Sequence, residues 1–173
     1  MLYGFMAIGL STEGGGSLKG LFFISERRPR ASHSIFKERT EAGEKGLFIA
    51  RYHPDDVALQ EELRGVECHW LLLREKENSV RPSDLKAIED IISSFFKRHA
   101  GGVALIDGVE ILGLFNDFEK VLELLNKAQS AADSCGGSII VPIDDRALYP
   151  EDYREISMRF NFLDVGVTEN SQE

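Results

Sequence analysis

The sequence predicts an α/β fold, a three-layer sandwich with a mainly parallel five-stranded sheet and helices on both faces. Three observations predict it. Five short runs are almost continuously apolar, the pattern of strands buried on both faces. Between them lie stretches with apolar residues at spacings of three and four, the helical period. The two kinds of run alternate along the chain, which favours a parallel sheet joined by crossover helices.

The elements follow in order. Leu21-Phe-Phe-Ile-Ser25 is the first apolar run. Pro29 opens a helical stretch with Ala31, Ile35, Phe36 and Ala42 on one side and Gly43 near its end. Leu47-Phe-Ile-Ala-Arg51 is the second strand, closed by His53-Pro54, and Asp55 to Leu63 reads as a short helix. Cys68-His-Trp-Leu-Leu-Leu73 is the third strand, with Trp70 expected in the core as large aromatics usually are. Lys76 to Val80 reads as a polar loop. Leu85, Ile88, Ile91, Ile92, Phe95, Phe96 and His99 then share one helical face, started by Pro82, Ser83 and Asp84 and stopped by Gly101-Gly102. Val103-Ala-Leu-Ile106 is the fourth strand and runs into Asp107-Gly108. Asn116, with Glu119 three residues on, resembles a capping box. The stripe Phe118, Val121, Leu122, Leu125, Ala128 and Ala132 ends at Gly136-Gly137. Ile139-Ile-Val-Pro-Ile143 is the fifth strand. Pro142 has no N–H to donate, so it belongs at a strand end, a bulge or an edge. Glu151 to Phe160 forms the last helix.

This organisation divides the chain into an apolar strand or arm with a glycine-rich turn (1–20), a single α/β domain (21–165) and a polar tail (166–173). A chain of 173 residues is long enough for a proper core. Its formal net charge of -9 argues against a nucleic-acid face, because duplex affinity rests on Lys and Arg meeting phosphates. Arg27, Arg28 and Arg30 are read as a solvated turn. Two cysteines make no disulfide framework, which fits a reducing cytoplasm. The four histidines are scattered singly, without metal-ligand spacing. The apolar amino-terminal segment lacks a basic region in front of it and is too short for a membrane span, so no membrane association is expected. Left exposed, Leu2, Tyr3, Phe5, Met6, Ile8 and Leu10 would form a patch that soluble monomers rarely tolerate. The segment therefore folds back on its own sheet or pairs with another chain, and a homodimer is expected because exchange between identical protomers is an inexpensive route to one.

Chemistry is expected at the carboxyl ends of the strands, where parallel sheets place it. There Glu26, Arg51, Arg74, Asp107 and Asp144 share one edge. Asp107 and Glu110 resemble the acidic strand end that holds Mg²⁺ in ATPases. The bland alternative is a carboxylate that caps the turn after the strand. Asp144 and Asp145 end the neighbouring run and equally suit an Asp-rich turn. Asp107, Glu110, Arg51 and Asp144 are thus the candidate ligand-binding residues, and Asp107 with Asp144 the candidate metal pair. No cofactor is expected, with Mg²⁺ left open, and no residue is assigned as catalytic. A Gly-x-x-x-x-Gly-Lys-Ser/Thr loop is missing, and Lys19 follows a glycine cluster that precedes a strand instead of a helix. A receiver-type phosphoacceptor fails because Ser25-Glu26 is followed by Arg27-Arg28 in place of an acidic pair. A Gly-x-Ser-x-Gly elbow is also missing.

Four blocks carry a resemblance to a known family. They are Gly46-Leu-Phe-Ile-Ala-Arg-Tyr-His-Pro54, then Trp70-Leu-Leu-Leu73 with Val80-Arg-Pro-Ser-Asp-Leu85, then Ala104-Leu-Ile-Asp-Gly-Val-Glu-Ile-Leu112 with Asn116-Asp-Phe-Glu119, and Ile140-Val-Pro-Ile-Asp144. In their order and spacing the chain resembles the archaeal domain-of-unknown-function family 835 (DUF835) from about Leu21 to Phe160. The resemblance implies a RecA-like α/β module without a phosphate loop, standing alone or joined to sensory and regulatory domains. It implies no reaction, and fold analogy cannot supply one.

Two classes of function follow. The first is a non-catalytic regulatory or interaction module, set in signalling or transcription, that works through a protein partner or self-association. The second is a divergent nucleotide-binding, ATPase-like protein that uses Asp107 and Mg²⁺. The missing phosphate loop favours the first, because the backbone cradle does most of the gripping of phosphates.

Overall fold

A computed structural model of the chain describes residues 18–51 and 63–166. Most of the expected arm (1–17), most of the helix expected over 55–63, His53-Pro54 and the end of the tail lie outside the described residues. The rest is organised on one sheet. Its strands are β1 (Gly20–Ser25), β2 (Gly46–Ala50), β3 (Glu67–Leu71), β4 (Ser79–Val80), β5 (Val103–Asp107), β6 (Ser138–Ile143) and β7 (Asn161–Phe162). They lie in the order β4-β3-β2-β5-β6-β1-β7, and every pairing is parallel.

All five apolar runs are strands, with boundaries shifted by no more than two residues. The sheet nevertheless has seven strands, not five. The two additions are β4 and β7, each two residues long and at a sheet edge. β4 falls in the stretch expected to be a polar loop. It is held by Trp70 N–H on Asn78 O (2.8 Å) and Leu72 N–H on Val80 O (3.1 Å). β7 pairs with Phe22 and Phe23 of β1, and Phe162 stacks on Phe23 at 5.5 Å. A two-residue edge strand has no hydrophobic period of its own, so tertiary pairing alone creates it.

The helices are α1 (Ala31–Glu41), α2 (Leu85–Arg98), α3 (Val109–Phe115), α4 (Phe118–Cys135) and α5 (Pro150–Arg159), with a 3₁₀ turn at Asp145–Ala147. Asp84 caps α2 by accepting from Ala87 N–H (3.0 Å), as its start signal predicts. The expected capping box is corrected. Asp117, not Asn116, is the cap of α4 and accepts from Glu119 N–H (3.2 Å). Asn116 instead closes α3, donating to Leu112 O and Pro82 O (both 2.8 Å). The short helix ahead of it needs donors for its last carbonyls, and Asn116 is in reach.

Strand side chains alternate between two buried clusters, as the period of two requires. Leu47, Ile49, Ala104, Ile106, Ile139 and Val141 face the cluster built with α2, α3, α4 and α5. Phe48, Ala50, Val103, Leu105 and Ile140 face the cluster built with Ile35 and Phe36 of α1. Trp70 joins the second cluster at 4% exposure, the core position expected of it. Pro142 lies in the last part of β6, past the last residue paired with β5. Cys68 is half-buried, and burial pushes its thiol up to about 11. Cys68 should therefore resist iodoacetamide at mildly alkaline pH while the fold is intact and react once it is unfolded, because the thiolate is the nucleophile. Peptide mapping by mass spectrometry checks this.

Candidate functional site

Parallel pairing sends the carboxyl end of every strand to one edge. β2 and β5 are neighbours there, yet β2 leads to β3 on one side and β5 leads to β6 on the other. This reversal is the topological switch point, the place where open parallel sheets characteristically bind ligands. Asp107 is the last residue of β5, and Arg51 directly follows β2. Ala50 and Asp107 are in register across the pair.

The switch point is lined by charge. Asp107 is 2% exposed. Its Oδ1 lies 3.7 Å from Arg51 Nε, and its Oδ2 lies 3.7 Å from His33 Nε2. His33 sits in the first turn of α1, which packs over β5 and β6 on its way from β1 to β2. The His33 ring meets Phe48 edge-on at 5.4 Å, which fixes its plane beside Asp107. Both distances are too long for hydrogen bonds, and Asp107 Oδ2 has no hydrogen-bond partner among the described residues. A buried carboxylate with long-range pairing only is a cost to the fold. Asp107→Asn keeps the shape and removes the charge. The Arg51 Nε and His33 Nε2 atoms that face it are themselves buried, and the asparagine carbonyl oxygen remains as an acceptor for one of them. This substitution is expected to raise stability by about 1 kcal/mol in chemical denaturation. A loss of that size would instead show that the two ion pairs outweigh the desolvation.

Glu110, in the first turn of α3, is 7% exposed, and its Oε1 accepts from Asp144 N–H (2.9 Å). It thereby ties the start of α3 to the end of β6. The Asp144 carboxylate has a different partner. It accepts from Arg146 Nε (3.0 Å) and Nη2 (2.9 Å). The hydrogen-bonded Arg146 guanidinium holds the Asp144 carboxyl below the usual carboxylate range, against a smaller effect of burial and with a further contribution from Arg27. A depressed folded value means a stabilisation that is present above the ordinary aspartate range and lost as pH falls through the folded value.

The four candidates therefore form two pairs. Asp107 and Arg51 meet at the switch point, and Glu110 and Asp144 meet through a backbone N–H. Asp107 and Asp144 end neighbouring strands, but their carboxylates engage different cations. Among the described residues no group of three or more His, Cys, Asp or Glu side chains is arranged to hold a metal ion. Arg74 lies three residues beyond the end of β3 and enters neither pair.

One participant escaped the sequence reading, and a second was placed at the carboxyl edge without its hydrogen-bonding role. His33 looked like one of four scattered histidines, and only the packing of α1 over β5 brings it to Asp107. The other is Glu26, directly after β1. Its Oε2 accepts from the N–H groups of Arg30 (3.0 Å) and Ala31 (2.9 Å), and its Oε1 from that of Ser32 (3.1 Å). These are donors at the start of α1, where a helix attracts negative charge, and the Arg30 N–H is shared with Arg28 O (2.7 Å). The available signal was a carboxylate a few residues ahead of the proline-led start of a helix.

The fold and the site together define a class: a parallel α/β domain with charged side chains gathered at the carboxyl edge and no phosphate loop. Residues 26–160, well over half of the chain, match the family described as a protein of unknown function, DUF835. The chain belongs to that family. No curated protein matches it.

Proposed function

We propose that the chain is a non-catalytic regulatory or interaction module that does not turn over nucleotides, a RecA-like domain in which the phosphate loop has been replaced. One observation carries the reading. The helix start after β1 offers the N–H groups that a phosphate loop would offer, and Glu26 fills them with a carboxylate of the chain itself. A nucleotide phosphate arriving there meets a negative charge in place of open donors. Among the described residues no helix is long and apolar enough to cross a membrane, and we place the module in the cytoplasm, in signalling or transcription.

The test is titration of ATP and GTP into the purified chain, with and without Mg²⁺, followed by phosphate release. Binding no tighter than millimolar and turnover at background are expected, since the loss of a backbone cradle removes most phosphate affinity. Turnover that disappears in Asp107→Ala would overturn this reading in favour of an ATPase that uses Asp107 and Mg²⁺.

The partner surface includes a second copy of the chain. Support for this comes from the apolar sequence from Leu2 to Leu10, which needs cover. Light scattering should give a dimer mass for the full chain and a monomer mass for a variant that starts at Leu18. A monomeric full chain refutes the dimer.

A further inference from the structure

We infer that the outer edge of the sheet at β7 is an interaction surface, and that its occupant is the apolar segment over residues 2–10 of a second copy of the chain, added alongside β7 as a further strand. The inference rests on the self-association proposed above and names the surface that it uses.

Three observations combine. First, the two ends of the sheet differ. β4 and β7 are its outermost strands, each two residues long. Behind β4, the strand β3 begins with charge: Glu67 pairs with Arg98 (2.8 Å) and with His69 (3.1 Å). Charged side chains are a usual guard of an exposed edge. At the other end, residues 160–166 carry one charged side chain, Asp164, whose Oδ1 accepts from Gly166 N–H (2.9 Å). The outer side of β7 faces no further strand among the described residues, and an unguarded edge is a template for another strand. Second, apolar side chains at this edge are incompletely covered on both faces of the sheet. Phe162 and Tyr153 pack on the cluster built with α2, α3, α4 and α5, Leu163 and Val165 pack on the cluster built with α1, and all four are only partly buried. An added strand alternates its side chains between the faces and covers both. Third, the chain supplies a matching segment. Residues 2–10 include Leu2, Tyr3, Phe5, Met6, Ile8 and Leu10 and no charged side chain. As a strand they would span about 30 Å, enough to run the length of residues 161–165.

The way the chain enters β1 selects a second copy as the source. Leu18 O accepts from Ser138 Oγ of β6, and Gly20 N–H donates to Gly137 O (2.9 Å) just ahead of β6. The chain thus reaches β1 along its β6 side, whereas β7 lies on the other side of β1. A chain's own segment would have to cross the end of β1 to reach its own β7. A partner's segment approaches β7 from the open side of the sheet. Two copies related by a two-fold axis make this contact twice, each covering the edge of the other.

The test uses the full chain. Cys68→Ala and Cys135→Ala remove the native thiols, and Ile8→Cys carries a nitroxide. This chain is mixed with isotope-labelled chain that carries no nitroxide, so paramagnetic broadening in NMR reports contacts between copies only. The amides of residues 161–165 are expected to broaden, and those of residues 67–69 at the opposite edge to stay sharp. Light scattering over a dilution series should show that Leu163→Lys raises the dimer dissociation constant about tenfold or more, because a charge replaces an apolar contact on the edge. Asn161→Lys, at an exposed position, carries the same comparison if Leu163→Lys does not fold. Equal dissociation constants for wild type and both variants, or broadening confined to other residues, overturns the β7 surface while a dimer mass leaves the self-association standing. A monomer mass for the full chain overturns both. Broadening of residues 161–165 seen only when the labelled chain itself carries the nitroxide means that the segment covers its own edge, and it overturns the exchange.

Discussion

Replacement of Gly108 by valine is expected to lower the stability of the fold by about 3 kcal/mol or more. Two independent costs add. Gly108 has φ +146°, a backbone conformation that L side chains rarely adopt. A Cβ at this position would lie 2.7 Å from Leu71 Cδ1, and Leu71 is buried at 5% exposure. The effect reaches the candidate site because Gly108 joins Asp107 to the first turn of α3. A shift there pulls Glu110 off the Asp144 N–H, which it accepts at 2.9 Å. Chemical denaturation gives the stability, and hydrogen exchange at the Asp144 amide reports the local loosening. Gly108→Ala should fall between wild type and Gly108→Val. A loss of under about 1 kcal/mol for valine would mean that Leu71 and the backbone yield freely, against the close packing expected of a core.

Phe48→Ala is expected to cost about 3–5 kcal/mol, the range for removal of a buried aromatic. Phe48 lies in β2, inside the sheet, and is 1% exposed. Its ring lies 5.4 Å from His33, 5.8 Å from Phe36 and 6.0 Å from Trp70. It therefore supports α1 and the plane of His33 together. Phe48→Leu should recover most of the stability by filling most of the volume, but not the edge-on ring contact. The His33 ring signals in NMR then separate the two effects. They should move in both variants, while melting falls steeply only in Phe48→Ala. Unchanged His33 signals in Phe48→Ala would show that Asp107 alone positions the ring.

The five main strands were legible because burial on both faces demands near-continuous apolar runs, and few other patterns look alike. α2 and α4 were legible for the corresponding reason at a period of 3.6: Ile88, Ile92, Phe95 and Phe96 of the first face and Val121, Leu122, Leu125, Ala128 and Ala132 of the second are buried, and the remaining members are partly buried. The carboxyl edge was legible too, since parallel pairing alone carries Glu26, Arg51, Asp107 and Asp144 there. Three things were not legible. Strand order was not, because β1 pairs with β6, 118 residues away in register, and nothing local encodes that choice. The two-residue strands β4 and β7 exist only through their neighbours. The partners of the charged side chains were not legible either. Sequence placed Asp107 and Asp144 on adjacent strand ends, but tertiary packing decided that Asp107 faces Arg51 and His33 while Asp144 faces Arg146. The same packing set Glu26 on the start of α1. The physical reason is range. Hydrophobic period and strand polarity are written in neighbouring residues, whereas the direction of a carboxylate depends on cations and N–H groups that the fold brings from distant parts of the chain.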